Sequence, residues 1–510
     1  MRILLIDIDT LRPDHLGCYG YHRDTSPAID RVARRGTRFE NVYCSDAPCL
    51  PSRTALVTGK HGIHSGVVGH GGSAAEVRSE GAARKFSDRL KRESMPALLR
   101  WAGYHTCFIG AFAERHASWT FLAGFMETHN SGGGGKDIAD AVTPLARDWL
   151  DRHGREDDWF VHLNYWDVHA TYRTPMEFGD PFADSPPPDW LTEEIVQEHR
   201  QTAGHRTARD LIGGNAAAYP RMAGEVRDLS DARKLFDGYD TAIRYVDRDL
   251  GELFAMLERQ GVWEDTAVII TSDHGENMGE LATYCEHDTA SHSVCNIPLI
   301  IKWPGGKEGH VDKGLHYHLD LPATLDALLG LRERAVARLG YDIPPDWDSR
   351  SFAHAVTEGL DCGREDLVIG QCAHVCQRAV RWDSYMYTFT YHDGYKLFPG
   401  EMLFDIETDP HQLNNLAVER PDLCREAVYR LHRWHTDMMR TMPAGVASDP
   451  LWTVMQEGGP RQCMHFEKRA DQFFAGLRRT GRGHLIEEFV RRHPDLEHAA
   501  RKARKADHDR

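Results

Sequence analysis

Arg2-Ile3-Leu4-Leu5-Ile6-Asp7-Ile8-Asp9 opens the chain, an apolar, β-branched and Leu-rich run that ends in carboxylates. A run of this kind reads as a strand buried on both faces, as parallel sheets require. The loop that follows it is the first place to look for chemistry. The run is far shorter than the roughly 18 apolar residues of a membrane span, and it meets Asp7 too early for a secretion leader. No membrane partner is expected, and the cytoplasm is the expected location.

Similar runs recur at His105-Thr106-Cys107-Phe108-Ile109, Trp159 to Leu163, Ala267 to Thr271 and Ile297 to Ile301. Helix-like stretches lie between them: Ser26 to Arg35, Ser94 to Trp101, Ile138 to Arg152 and Asp231 to Gln260. Strands alternating with helices predict an α/β domain over residues 1–365, a large, mostly parallel sheet flanked by helices. Ligands of such sheets sit outside the carboxyl ends of the strands. Beyond residue 365 the strands come closer together (Leu367 to Gly370, Arg378 to Trp382, Met386 to Thr390, Met402 to Ile406), separated by Asp-Gly and Pro-Gly turns. Residues 366–510 are therefore expected to form a smaller subdomain, an antiparallel sheet with helices near Arg425 to Met438 and Ala470 to Arg479. The basic end, Arg491 to Lys505, reads as a solvated helix or a fraying terminus.

With 510 residues, 41% of them hydrophobic, the chain can bury a sizeable core in roughly two to four domains. Its formal charge of −16 is the wrong sign for a phosphate-backbone binder, so nucleic acid is not an expected partner. The 11 cysteines, Cys463 among them, are odd in number and scattered, which indicates neither a disulfide framework nor structural zinc.

Three clusters carry the chemistry: Asp7 and Asp9, Asp273-His274-Gly275, and Cys49-Leu50-Pro51-Ser52-Arg53 before an apolar helix start. Two strand-end carboxylate clusters can converge at one sheet edge, and hard oxygens with one imidazole suit calcium, magnesium or manganese. Each cluster alone has a plainer reading: a turn with a capping Asp, or a cysteine packed as a small hydrophobe.

Taken together, these residues resemble the sulfatase family of the alkaline-phosphatase-like superfamily. The opening Ile6-Asp7-Ile8-Asp9-Thr10-Leu11-Arg12-Pro13-Asp14 is similar to that family's first strand and loop, and Thr25 to Ala33 to its next helix. Cys49-Leu50-Pro51-Ser52-Arg53 with Thr58-Gly59 looks like its modification signature. Tyr165-Trp166-Asp167-Val168-His169, Thr271 to Gly275, Ile297 to Gly305 and Leu403 to Pro410 follow in family order. The Cys-x-Pro-Ser-Arg element is the most specific of these.

The resemblance implies hydrolysis of a small organic sulfate ester. Cys49 would be oxidised by a separate formylglycine-generating or other sulfatase-modifying enzyme to formylglycine, whose hydrated diol is the nucleophile. It implies one divalent ion on Asp9, Asp273, His274 and the modified Cys49. Many family members place a second carboxylate where this chain has Thr10, so calcium is no more expected than manganese. Asp7 either reaches the ion or hydrogen-bonds at the strand end. Arg53 would orient the nucleophile, and His169 would meet the leaving oxygen, with Asp167 as a candidate positioning partner.

Two departures from the family pattern stand out. The usual Gly-Lys-Trp-His is replaced by Gly110-Ala111-Phe112-Ala113-Glu114-Arg115-His116, so Arg115 or His116 is the candidate for the missing lysine's contact. A second family lysine falls near His287, which is preferred over His292 for that role. His64 and His70 are further candidates for the pocket lining. The lone Asp9 ligand keeps a phosphonate monoester or phosphodiester hydrolase open as the rival, and an inactive anion-binding module as a further one. Sequence gives no oligomeric state.

Overall fold

The computed structural model describes residues 1–71, 75, 77, 93–211, 216–343, 346–394, 396–443, 448–460 and 469–508. Its centre is an eight-stranded sheet in the order His310–Tyr317, Thr37–Tyr43, Asn296–Lys302, Thr266–Thr271, Arg2–Ile8, Trp159–Tyr165, His105–Ile109, Glu127–His129. The opening run is an inner strand, parallel to Trp159–Tyr165 on one side and Thr266–Thr271 on the other. Its side chains alternate between two cores. Ile3 and Leu5 pack on one face with Leu50, Leu56, Leu98 and Leu325, and Leu4, Ile6 and Ile8 pack on the other with Ile29, Val142, Leu235 and Phe254.

Ile3, Leu4, Leu5, Ile6 and Ile8 are all but fully buried. At about 1.5–3 kcal/mol each, they contribute on the order of 10 kcal/mol. Several kcal/mol is the cost of burying each ionised carboxylate, so the strand can carry Asp7 and Asp9, both 0% exposed, into the interior.

Asn296–Lys302 runs antiparallel to both of its neighbours. The chain leaves the carboxyl end of Thr266–Thr271, forms the short pair Asn277–Met278 and Tyr284–Glu286, and re-enters the sheet from the same edge. With no crossover helix to carry it back, it must return antiparallel. Everything between residues 272 and 295 is thereby held over that edge.

On one face lie the helices Pro27–Arg34, Ala139–His153 and Leu229–Arg259. The last begins at Asp228, whose side chain accepts from the backbone N–H of Ser230 and Asp231 at 2.9 and 3.1 Å. It buries Leu235, Tyr239, Ala242, Val246, Leu250, Leu253 and Leu257, a stripe at three- and four-residue spacing. The other face carries Cys49–Thr58, Met95–Trp101 and Leu321–Leu329.

The small sheet has the order Glu401–Asp405, Tyr385–His392, Cys376–Trp382, Asp366–Gln371, Asp46–Ala47. Its first four strands are antiparallel, as the turns predict. The fifth is a two-residue strand from just before Cys49, paired in parallel through Gly370 with Asp46 and Gln371 with Ala47. The helix Pro421–Arg440 covers this sheet, and Ala470–Arg479, Leu485–Arg492 and Glu497–His508 share a separate apolar cluster around Phe474 and Phe489. Among the described residues no helix is long and apolar enough to cross a membrane, and the described cysteines are unpaired. Cys463 lies outside the described residues.

Candidate active site

The carboxyl edge of the first strand, the loop after Thr271 and the start of the helix Cys49–Thr58 meet at one point. Thr10 takes a left-handed backbone (φ 56°), rare for a β-branched residue, and is fixed from both sides. Its N–H donates to Asp273 Oδ1 at 3.3 Å, and its carbonyl accepts from Tyr239 Oη at 2.7 Å. Leu11 N donates to Ser272 Oγ at 3.0 Å, tying the two loops together.

Cys49 and Arg53 are four residues apart on one helix and so share a face. Gly59, with a left-handed φ of 66°, ends that helix. Ser52 Oγ donates to the Asp273 carbonyl at 2.6 Å, which docks the helix on the loop. Ligand atoms of Asp9, Cys49, Asp273 and His274 all lie within 4.8 Å of one another, and all four residues are buried. Cys49 Sγ is 3.1 Å from His274 Nε2. Sequence reasoning named these four, and the fold brings them together.

Arg53 is the hub. Its Nη1 donates to Asp9 Oδ2 at 2.9 Å and to Asp273 Oδ2 at 2.6 Å, while its Nε and Nη2 grip both oxygens of Asp7. Asp7 also takes His162 Nε2 at 3.4 Å and Asn164 Nδ2 at 3.2 Å. Burial would raise its pKa, but Arg53 and His162 outweigh burial and hold the carboxyl well below the usual range. Asp7 is thus an anchor for Arg53. His162 and Asn164 escaped the sequence reading because a polar residue inside a strand gives no signal of what it faces.

Burial first, then the Asp273 charge, pushes the Asp9 carboxyl well above its ordinary value, and Asp9 Oδ1 has no hydrogen-bond partner. His274 Nδ1 lies 2.8 Å from the Gly275 carbonyl, which leaves Nε2 facing Cys49 Sγ and Asp273 Oδ2. An orphaned carboxylate oxygen, two repelling carboxylates and an imidazole nitrogen turned toward them fit a divalent cation. The Cys49 thiol is also pushed well up, by burial and then by Asp9 and Asp273, so the unmodified side chain stays protonated.

Opposite stands a wall of imidazoles. The ring of His287 stacks on His274 with centroids 4.4 Å apart and meets His169 edge-on at 5.1 Å. His169 stacks on Trp166 at 4.4 Å, and the Arg115 guanidinium lies over the Trp166 ring at 3.8 Å. His169 Nδ1 sits against the Ala170 carbonyl, so that carbonyl, and not Asp167, positions it. His116 and His70 pair at 4.9 Å, and each comes close enough to Cys49 for all three to form one potential ligand group. Burial foremost lowers the pKa of His169, His287 and His70, and that of His116 to about 3.

Two candidates point elsewhere. His292 is 3.0 Å from Tyr43 Oη and 3.4 Å from Asn296 Nδ2, and His64 lies between Asp348 and the Met438 carbonyl. His374, 5.8 Å from His287, joins the wall from the turn after Asp366–Gln371, and His205 and Glu286 stand beside it. Only the adjacency of Glu286 to His287 could have hinted at this group.

The sulfatase family model matches residues 2–331. The choline-sulfatase of Rhizobium meliloti (strain 1021) is 25% identical over 439 residues, covering 77% of each chain. Among solved structures, one described as in complex with its substrate D-glucosamine-2-N,6-O-disulfate superposes with a TM-score of 0.64 at 18% identity, over 88% of this chain and 99% of the other. The phosphonate monoester hydrolase from Silicibacter pomeroyi does so at 0.64 and 19% identity, over 87% and 96%. These neighbours share the alkaline-phosphatase-like fold described above. With the family model running from the first strand past the loop that holds Asp273 and His274, this chain belongs to the sulfatase family of sulfuric ester hydrolases.

Proposed function

We propose that the protein hydrolyses a small organic sulfate ester, with Cys49 converted to formylglycine by a modifying enzyme and with one calcium or manganese ion on Asp9, Asp273, His274 and position 49. The supporting observation is the state of Cys49: a buried thiol among carboxylates is a poor nucleophile, whereas a modified side chain in that place is within reach of every ligand. Hydrated formylglycine supplies a hydroxyl that attacks the ester and an exit by collapse to the aldehyde. The cation supplies Lewis acidity.

The chain's own residues do the rest. Arg53, held by Asp7, offsets negative charge beside position 49. His169 and His287 face the ester and its departing oxygen, and Arg115, His116 and His70 border the substrate's organic part. Residues 1–365 supply this machinery, and residues 366–510 close one side of it through His374.

Thr10, standing where many relatives have a carboxylate, favours the rival reading of a phosphonate monoester or phosphodiester hydrolase with the same nucleophile. Both substrates carry one negative charge, as sulfate monoesters do, so charge alone does not separate them. The intact Cys49, Arg53, Asp273 and His274 argue against an inactive anion-binding module. The test is kcat/KM for an aryl sulfate, phosphonate monoester and phosphodiester with the same leaving group and metal. The sulfate is expected to be preferred, and a higher value for either phosphorus ester would give the site to the rival.

A further inference from the structure

The wall opposite Asp9 and Asp273 has a composition of its own. Donor atoms of Cys49, His169 and His287 lie within 4.8 Å of one another, a group that shares only position 49 with the first ligand set. His169 Nδ1 lies against the Ala170 carbonyl, a contact that fixes tautomer and ring direction in metal-binding histidines and turns the second nitrogen inward as a lone pair. His287 Nδ1 lies 3.3 Å from Glu286 Oε1 but makes no hydrogen bond. His169 Nε2 is buried and has no hydrogen-bond partner. His287 is 6% exposed. Glu286 in turn takes His205 Nε2 at 3.1 Å and faces His374 Nδ1 at 3.5 Å, so the carboxylate behind His287 is itself braced.

Asp7, Asp9, Asp273 and Glu286 surround the centre, with Arg53 held among the first three, Arg206 3.6 Å from Glu286 and Arg115 stacked on Trp166. In neutral form the imidazoles of His169 and His287 offer lone pairs toward position 49.

We propose that a second divalent ion binds between His169, His287 and the side chain at position 49, beside the ion held by Asp9, Asp273 and His274. Two nitrogen donors select a transition ion such as zinc or manganese over calcium. The ester's oxygens are then met from both sides by cations. This rests on the reading of Cys49, Asp9, Asp273 and His274 as the catalytic centre.

The experiment uses the full chain with formylglycine at position 49, stripped by chelator and titrated with Zn2+, Mn2+ and Co2+. Plasma mass spectrometry and anomalous diffraction count the ions, and Co2+ absorption reports nitrogen ligation. Two ions per chain are expected, with His169→Ala and His287→Gln each retaining one, at Asp9 and Asp273. Circular dichroism confirms that these variants fold, and the wild-type ion count stands without them. A single ion at saturating metal, with His169 and His287 touching a bound sulfate directly, would overturn the second site. Sulfate ester hydrolysis by that one-ion protein would leave the proposed function standing, and its absence would remove that function separately.

Discussion

Arg53 holds Asp7 through two nitrogens, Nε at 2.6 Å from Oδ2 and Nη2 at 3.1 Å from Oδ1, with both side chains fully buried. The fork leaves Nη1 to reach Asp9 and Asp273, so the aim of the guanidinium depends on a residue that touches no ligand site.

Asp7→Asn should therefore cost about 3–5 kcal/mol of stability, the usual result of leaving one partner of a buried ion pair alone. Urea unfolding measures it. Arg53→Lys keeps the charge but loses the fork, and should lower kcat by about a hundredfold or more. A lysine variant with native kcat would show that charge alone suffices.

Asp273→Ala removes the carboxylate shared by Arg53, Thr10 and the ligand cluster. Metal content at the Asp9 site and ester hydrolysis should fall together. An active protein without that ion would refute the ligand assignment.

The peptide spanning Cys49, from protein made together with a formylglycine-generating enzyme, should carry an aldehyde. Mass spectrometry after aldehyde-specific labelling is the check, and active protein with only free thiol at position 49 would end the formylglycine reading.

His169→Ala should slow esters of basic leaving groups by about 10²–10⁴ and activated aryl esters far less. Whatever meets the departing oxygen there, a proton or a cation, matters most when that oxygen is basic. Equal losses across a leaving-group series would reassign His169 to binding.

Glu280 is fully buried against Arg12 (2.9 Å), beside the loop that follows Asp9. Burial would raise its pKa, but Arg12 and His411 win and bring it from 4.5 to about 2. The carboxyl is held more acidic in the folded chain, which corresponds to about 3 kcal/mol of stability. That stability is fully present above pH 4.5 and is lost as pH falls toward 2. Glu280→Gln should thus destabilise at pH 7 and converge on wild type near pH 2, as thermal unfolding across that range will show.

The opening strand, the long helix and the short motifs of the candidate site were legible because each is written locally, as a buried run, a periodic stripe or a run of adjacent residues. Thr37–Tyr43 was not, since its burial is interrupted at Arg38, Glu40 and Asn41, and Glu127–His129 is too short to show a pattern. His310–Tyr317 mixes charge with apolar residues for the same reason. Within the site, Asp9, Cys49, Asp273 and His274 could be named from motifs. His162, His205 and His374 could not, because only the folded sheet edge and the return of the small sheet bring them beside Asp7, Glu286 and His287.

If Cys49 is converted to formylglycine as proposed, the two-residue strand Asp46–Ala47 sets a clock on biosynthesis. It pairs with Gly370 and Gln371, over 300 positions later in the chain, and Gly370 N donates to the Ser45 carbonyl at 2.9 Å. Cys49, two residues beyond it, is 1% exposed once folded. Under the proposed conversion of Cys49 to formylglycine, the modifying enzyme would have to reach this thiol while the nascent chain is still open, before residues 366–371 arrive to close the seam. The interval between translating those two segments would then be the window for maturation, and slow modification would yield a well-folded protein permanently locked in its thiol form.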